Sequence, residues 1–312
     1  MRIGIVGAGA LGSVFGGLLL ESGADVVLIR RNREHVNVIR DQGLKLEGVS
    51  GDRTLRPEIV ADPAEAGTVD LALVLVKAYD TSEAVGAVDK ILAPNGVVLT
   101  LQNGIGNFEI LDKAFPGRVL MGTTTNGALA LAPGKVRHTG VGQTLLGEAD
   151  GSTSERALQV TSLLEKIKAG PVQVVNNAMG CVWSKLIVSA AINAPATLLR
   201  VRNGDLPATE SGKALIHGVV EECLKVVQAR GIALVFDDPE AHVIAVCQAT
   251  APNINSMFQD IRAGRRTEID FINAALSREG EQLGIATPVN RTLAQLIQSL
   301  EQTTSVRVAD PS

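Results

Sequence analysis

With 312 residues, the chain is long enough for two domains that each bury a core. Its net charge of −4, sequence pI of about 5.7 and aromatic content of 3% leave no basic, aromatic-laced stripe, which argues against a nucleic-acid partner. Cys181, Cys223 and Cys247 lack C-x-x-C spacing and read as structural thiols of a reducing cytoplasm, and His35, His138, His217 and His242 lack metal-ligand spacing.

The first stretch reads as strand, glycine turn, helix, strand. Ile3, Ile5 and Val6 form a short apolar run without helical period, as in a strand covered on both faces. It stops at Gly7-Ala8-Gly9-Ala10-Leu11-Gly12, which fits G-x-G-x-x-G. Gly7 allows the tight turn, Gly9 removes a Cβ that would block a pyrophosphate, and Gly12 lets the following helix pack on the strand. That helix N-terminus offers free N–H groups and a positive dipole end to an anion. An apolar helix over 14–20, a stop at Gly23 and a strand over 26–29 supply the context that turns the fingerprint into a dinucleotide-binding reading. Residues 1–20 contain the turn and the first strand, so they are not read as a leader, and no uninterrupted apolar run reaches the roughly 18 residues of a membrane span. A soluble cytoplasmic protein is expected. An NAD site places Asp or Glu after the second strand, whereas this chain runs Ile29-Arg30-Arg31-Asn32-Arg33. Guanidinium groups bind a ribose 2′-phosphate that a carboxylate repels, so NADP(H) is the expected cofactor, with Arg31 as its phosphate residue.

A helix over 34–41 and a strand over 44–46 follow. A buried strand over 70–76 ends at Lys77, and a helix over 81–92 has Thr81 at its N-terminus. A strand over 97–101 ends at Gln102-Asn103-Gly104. Strands alternating with helices imply a parallel sheet with right-handed crossovers and ligands at the strands' carboxyl ends, where residues 7–12, Arg31, Lys77 and Asn103 fall. The Gly- and Thr-rich texture of 119–148 reads as an antiparallel extension of that sheet. A helix over 154–168 and a last strand over 172–175 complete the α/β part. Only helices are expected beyond 176: 178–194, 210–230, 239–251, 256–262, 268–283 and 288–301, with a frayed tail at 303–312. The expected architecture is therefore α/β: a Rossmann-type dinucleotide-binding domain over 1–175 and an all-helical substrate and catalytic domain over 176–312.

Within the second part, Lys185, Ser189 and Asn193 are spaced four apart in a helix otherwise made of residues such as Ile187, Val188, Ala190, Ala191 and Ile192. They form one polar stripe, which points to a cleft rather than to a solvated face. Partial burial of Lys185 would bring its pKa toward working pH, as a general acid requires. Glu268 and Asp270 open a later helix, where first-turn carboxylates also suit the dipole.

Together these residues resemble the ketopantoate reductase family over almost the whole chain. The resemblance rests on GAGALG, VKAYD at 76–80, LQNGIGN at 101–107, WSKL at 183–186, Asn203-Gly204 and NSMFQDIRAGRRTEIDFIN at 255–273. It implies NADPH-dependent reduction of the C2 ketone of 2-dehydropantoate to pantoate, on the route to pantothenate and coenzyme A. It makes Lys185 the general acid, Glu268 the group that holds the lysine or the substrate hydroxyl, and Asn103 a residue near the nicotinamide ribose and the reacting centre. Lys77 would lie close to the cofactor; Ser189, Asn193, Asn203 and Ser256 would line the substrate subsite, with Ser256 at the carboxylate. Three positions depart from the family pattern: Ser189 in place of Asn, Ala194 between Asn193 and Pro195, and Asn255 beside Ser256. All three fall on the substrate side, so a paralogous reductase of another 2-keto acid is the alternative; a β-hydroxyacid dehydrogenase and a non-catalytic NADP-sensing protein are further ones. The expected partner is a small 2-keto acid, with neither nucleic acid nor membrane, and a homodimer is one assembly open to the chain.

Overall fold

The computed structural model describes residues 1–303, so most of the expected 303–312 tail lies outside the described residues. The chain divides into two compact units, one formed by Met1–Gln102 and Asn107–Met179, the other by Asn103–Gly106 and the chain from Gly180 onward.

The first unit opens with β1 (Arg2–Val6), α1 (Ala10–Glu21), β2 (Asp25–Ile29), α2 (Arg33–Gln42), β3 (Leu44–Gly48), β4 (Arg53–Leu55) and β5 (Glu58–Val60). It continues through β6 (Val69–Val74), α3 (Thr81–Ile91), β7 (Leu92–Thr100), α4 (Asn107–Ala114) and β8 (Val119–Thr124). It closes with β9 (Gly127–Ala132), β10 (Lys135–Gly140), β11 (Thr144–Gly147), α5 (Glu155–Glu165) and β12 (Val172–Val174).

Eight strands form the main sheet in the order β12-β11-β8-β7-β6-β1-β2-β5. From β8 to β5 every pair is parallel. β1 lies inside this sheet, which is why Ile3 to Val6 read as an uninterrupted apolar run: alternate residues enter different cores. Ile3 and Ile5 pack with Phe15, Leu18 and Leu19 of α1, whereas Val6 joins Val88 and Ile91 of α3 and Leu111 of α4 on the opposite face. Each such side chain removed from water contributes about 1.5–3 kcal/mol.

The segment 119–148 departs from the expected antiparallel extension. β8 is parallel to β7, because α4, a helix the sequence reading lacked, provides the crossover that parallel strands need. Only β11 runs antiparallel to β8, with β12 parallel to β11. β9 and β10 leave for a second sheet of order β4-β3-β10-β9, where β10 pairs parallel with β3. Burial explains the parting: all six residues of β8 are buried, whereas β9 contributes none. The second sheet also explains α1. Leu44, Leu46 and Val136 lie in the same core as Phe15, and a Cβ on Gly17 would touch Leu55, so α1 is apolar all round because sheets cover it on both sides.

The second unit is helical: α6 (Ala178–Leu199), whose residues from Gly180 belong to it, then α7 (Glu210–Ala229), α8 (Pro239–Ala249), α9 (Ser256–Arg262), α10 (Asn273–Gln282) and α11 (Pro288–Gln302). α6 continues past Pro195 to Leu199, beyond the expected end at 194. In the turn that the proline disturbs, the Ala190 carbonyl accepts a 3.1 Å bond from the buried Asn273 amide. By length and hydropathy α6 could span a bilayer, but most of its apolar window is buried, as in a core helix. The expected helix over 268–283 is instead a 3₁₀ turn at Ile269–Phe271 followed by α10, with Ile272 (φ −113°, ψ −100°) outside helical geometry. Asn273, tied to Ala190 and to Asn290 at 3.0 Å, sets where the new helix starts.

Candidate active site

In the first unit, the glycine turn is built from contacts that exclude side chains. Gly7 has φ +102°, and a Cβ there would lie 2.5 Å from the Val76 backbone nitrogen. The N–H groups of Gly7 and Ala8 both donate to the Ile29 carbonyl, at 3.1 and 3.2 Å, which ties the turn to the end of β2. On Gly12 a Cβ would meet the Gly7 carbonyl oxygen at 2.3 Å, so α1 packs on the turn only without one. Gly9 differs: the nearest atom to its missing Cβ is a guanidinium nitrogen of Arg30, 3.3 Å away, and the space above it is otherwise open. Ala8 is buried, Ala10 and Leu11 are half-buried, and α1 begins with neither a side-chain cap nor an acid in its first turn. Its positive end is therefore uncompensated.

Of the cations after β2, Arg31 is exposed and pairs with Asp80 at 2.9 Å and with Glu83. Its guanidinium is held above the ordinary arginine range, chiefly by the hydrogen bond to Glu83. Arg30 is half-buried and its Nε is a buried donor without a partner. Burial, then the charge of Arg31, lowers its pKa. Lys77 follows β6 and leads into a 3₁₀ turn, Ala78–Asp80. Gln102, which sequence reasoning passed over, pins that strand end: its amide donates to the Val76 carbonyl at 2.9 Å and to the Thr81 hydroxyl at 2.8 Å. Its only signal was a polar residue directly after a buried strand. A cradle that no Cβ can enter, an uncapped helix start and an orphaned buried guanidinium N–H together fit an anionic dinucleotide.

In the second unit, three residues far apart in sequence are joined. The Lys185 ammonium donates to Asn103 Oδ1 at 2.8 Å, and the Asn103 amide donates to Glu268 Oε2 at 3.2 Å. Asn103 is held by its neighbours: Ile105 N–H donates to the Phe271 carbonyl at 3.0 Å, and Gly104, with φ +82°, has no room for a Cβ 2.3 Å from that same carbonyl. Glu268 is buried, preceded by the fully buried Thr267, whose hydroxyl accepts from Ile269 N–H at 3.2 Å. Ser184 accepts a 3.0 Å bond from Val235 N–H and fixes the helix rotation beside the lysine. Burial draws the Lys185 pKa down to about 8, and the negative charge of Glu268 opposes the fall. Lys185, Ser189 and Asn193 are partly exposed on a helix whose remaining faces are largely buried.

Asn203 and Ser256 belong to a separate cluster around residues 250–256. Asn203 N–H donates to the Asn253 carbonyl at 3.0 Å and its amide to the Thr250 hydroxyl at 3.0 Å, while its Oδ1 is buried without a partner. Ser256 is exposed at the start of α9, capped by Asn255, whose Oδ1 accepts from Phe258 N–H at 3.0 Å. The three cysteines are free and buried, which keeps their thiols protonated, and no metal-binding cluster occurs among the described residues.

An ammonium poised near neutrality beside a buried carboxylate can hand a proton to an anionic oxygen, and the first unit offers a dinucleotide cradle. Known proteins match this chain over nearly its whole length. The family description "Ketopantoate reductase PanE/ApbA" matches residues 3–151, and its C-terminal counterpart matches 177–301. The 2-dehydropantoate 2-reductase of Halobacterium salinarum is 36% identical over 302 residues, covering 96% of this chain and 98% of that protein. A crystal structure of a PanE/ApbA family ketopantoate reductase from Ralstonia eutropha superposes with TM-score 0.90 at 32% identity, covering 97% and 99% of the two chains. D-Mandelate dehydrogenase, solved with NADH and anilino(oxo)acetate, superposes with TM-score 0.91 at 30% identity, covering 98% and 100%. With both of its halves matched by the family and its length shared with these proteins, the chain belongs to the ketopantoate reductase family.

Proposed function

We propose that this protein catalyses the NADPH-dependent reduction of 2-dehydropantoate to pantoate, with the first unit binding NADP(H) and the second carrying the acid and the substrate subsite. The observation that carries the reading is the Lys185–Asn103–Glu268 chain with a lysine pKa of about 8. The bound cofactor supplies the hydride. Lys185 protonates the carbonyl oxygen as negative charge develops there, and its ammonium stabilises that charge more than it stabilises the neutral ketone. The amine left behind recovers its proton from water. Asn103 orients the ammonium, and Glu268 keeps it charged near neutral pH. Gly7, Ala8, Gly9, Ala10, Leu11 and Gly12 hold the pyrophosphate, with Arg31 and Lys77 at the adjoining strand ends. Ser189, Asn193, Asn203 and Ser256 supply hydrogen bonds to the keto acid.

The test is Lys185→Ala: kcat should fall roughly 10²- to 10⁴-fold, the usual value of a general acid, while the Kd for NADPH holds. A variant of near-normal activity removes the assignment. A second reading, reduction of another 2-keto acid, is supported by the departures at Ser189, Ala194 and Asn255 and by the likeness to D-mandelate dehydrogenase. NADPH oxidation followed with ketopantoate and a panel of 2-keto acids decides between them. The reading also takes the enzyme to be cytoplasmic, without membrane or nucleic-acid partner, as a monomer or homodimer; sedimentation velocity tells those two states apart.

A further inference from the structure

The segment from Glu268 to Asn273 is short, yet its contacts lead to every member of the Lys185–Asn103–Glu268 chain. It carries the buried Glu268 carboxylate itself, which accepts from the Asn103 amide. Three residues on, the Phe271 carbonyl accepts from Ile105 N–H at 3.0 Å and so holds the loop bearing Asn103. At its end, Asn273 donates to the Ala190 carbonyl of α6 at 3.1 Å, five residues beyond Lys185 on the same helix. The segment is tied on another side as well: Gln298 donates to Asp270 Oδ1 at 2.7 Å, and Arg278 to the Asp270 carbonyl at 2.6 Å.

Asn273 is oriented from the far end of a buried polar row. The Glu222 carboxylate can only accept, and it takes Val289 N–H, Asn290 N–H and the Asn290 amide at 2.8 to 2.9 Å. With its amide nitrogen turned to Glu222, Asn290 presents Oδ1 to Asn273, which donates to it at 3.0 Å. The other amide hydrogen of Asn273 goes to Ala190, and its own Oδ1 is left buried without a partner. Glu222, Asn273 and Asn290 are all buried. Mere filling of space does not call for such a row. Apolar side chains would pack there without a buried carboxylate and an orphaned oxygen, both of which cost free energy. What hydrogen bonds add is direction, since they fix an angle and a register that apolar contact leaves free. The place they act is one that needs fixing. Pro195 takes the helical donor from the next carbonyl, that of Ala191, so α6 is loosened where Asn273 grips it.

We infer that Asn273 is a positioning residue for the proton transfer, bolting the Glu268 segment to the lysine helix and so fixing the Glu268 carboxylate relative to the Lys185 ammonium. This rests on Lys185 being the acid, as proposed above.

The experiment is kcat/KM for keto acid reduction from pH 6 to 10 on wild type, Asn273→Ala, Glu268→Gln, the double variant and Val226→Ala, with Tm and NADPH Kd for each. Val226 is a buried residue of α7 outside the row and serves as the structural control. In Asn273→Ala the carboxylate that opposes the fall in the lysine pKa is no longer held, so the bend should move below pH 8, toward that of Glu268→Gln. Its kcat at pH 7 should drop about ten- to a hundredfold, the cost of misplacing a reacting group by around 1 Å, with NADPH Kd unchanged. The double variant should bend where Glu268→Gln does, because Asn273 acts through that carboxylate. Val226→Ala should lower Tm and leave the bend in place. An unmoved bend in Asn273→Ala overturns the inference whatever its Tm, as do shifts that add in the double variant or an equal shift in Val226→Ala. If Asn273→Ala does not fold, lactic acid in place of Ala191 carries the test, since it turns the Ala190 carbonyl into a weaker ester acceptor and leaves every side chain in place. Its bend should also fall, and a bend fixed near pH 8 refutes the role. Wild type without a bend near pH 8, or Lys185→Ala of near-normal activity, defeats the underlying reading instead.

Discussion

The proton-donor role proposed for Lys185 makes the pH profile of the reaction diagnostic. Ketone reduction uses the ammonium form, and burial sets its pKa at about 8 instead of the usual value near 10.5. At pH 9 only about one-tenth of a lysine with pKa 8 carries its proton, whereas an ordinary lysine is almost wholly charged there. kcat/KM for reduction should therefore be flat below about pH 7, bend near pH 8 and fall roughly tenfold per unit above it. Glu268 opposes the downward shift, so Glu268→Gln, which can still accept from the Asn103 amide, should move the bend below pH 8. The assay is NADPH oxidation at 340 nm across pH 6 to 10 at subsaturating keto acid, on both proteins. The position of the bend is the readout, because a simple loss of binding lowers the whole curve without moving it. A wild-type bend near 10.5, or a Glu268→Gln bend displaced upward, would refute the reasoning.

Two glycine substitutions should separate folding from binding. In Gly12→Ala the new Cβ would sit 2.3 Å from the Gly7 carbonyl, so α1 must move and a lowered Tm is expected together with lost cofactor affinity. Gly9→Ala faces only the end of the Arg30 side chain, at 3.3 Å, and Gly9 has an ordinary φ of −79°; Tm should hold while the NADPH Kd rises by more than about tenfold. A Gly9→Ala protein that binds NADPH normally would mean that no pyrophosphate approaches this turn. In the helical unit, buried Glu222 accepts from Val289 N–H, Asn290 N–H and the Asn290 amide at 2.8 to 2.9 Å, closing the start of α11. Glu222→Ala should lower stability in urea by on the order of 3 kcal/mol, since three donors lose a charged acceptor in the interior. A loss under about 1 kcal/mol would show that water or a rearranged Asn290 replaces it.

Much of this protein is local. The alternation of buried strands with helices, the jobs of Gly7 and Gly12, and the polar stripe of Lys185, Ser189 and Asn193 all follow from residues within a few positions of one another, because backbone sterics and side-chain periodicity act over that range. Other features depend on distant partners. β4 and β5 are three residues each, too short for any period to register, and β10 leaves the main sheet because β3, some 90 positions earlier, pairs with it, carrying β9 along as its antiparallel neighbour. Sequence alone puts Asn103 at the end of a strand of the first unit; the positive φ of Gly104 and the bond from Ile105 to Phe271 make it part of the second. The meeting of Asn103 with Lys185, 82 positions away, and with Glu268, 165 away, is likewise a product of packing. So is the difference between two adjacent arginines, one spoken for by carboxylates and one not. Residue type and spacing determine which groups are available, but burial and neighbouring charge, which set a lysine near pKa 8 and leave an arginine N–H without a partner, exist only once remote segments have closed around them.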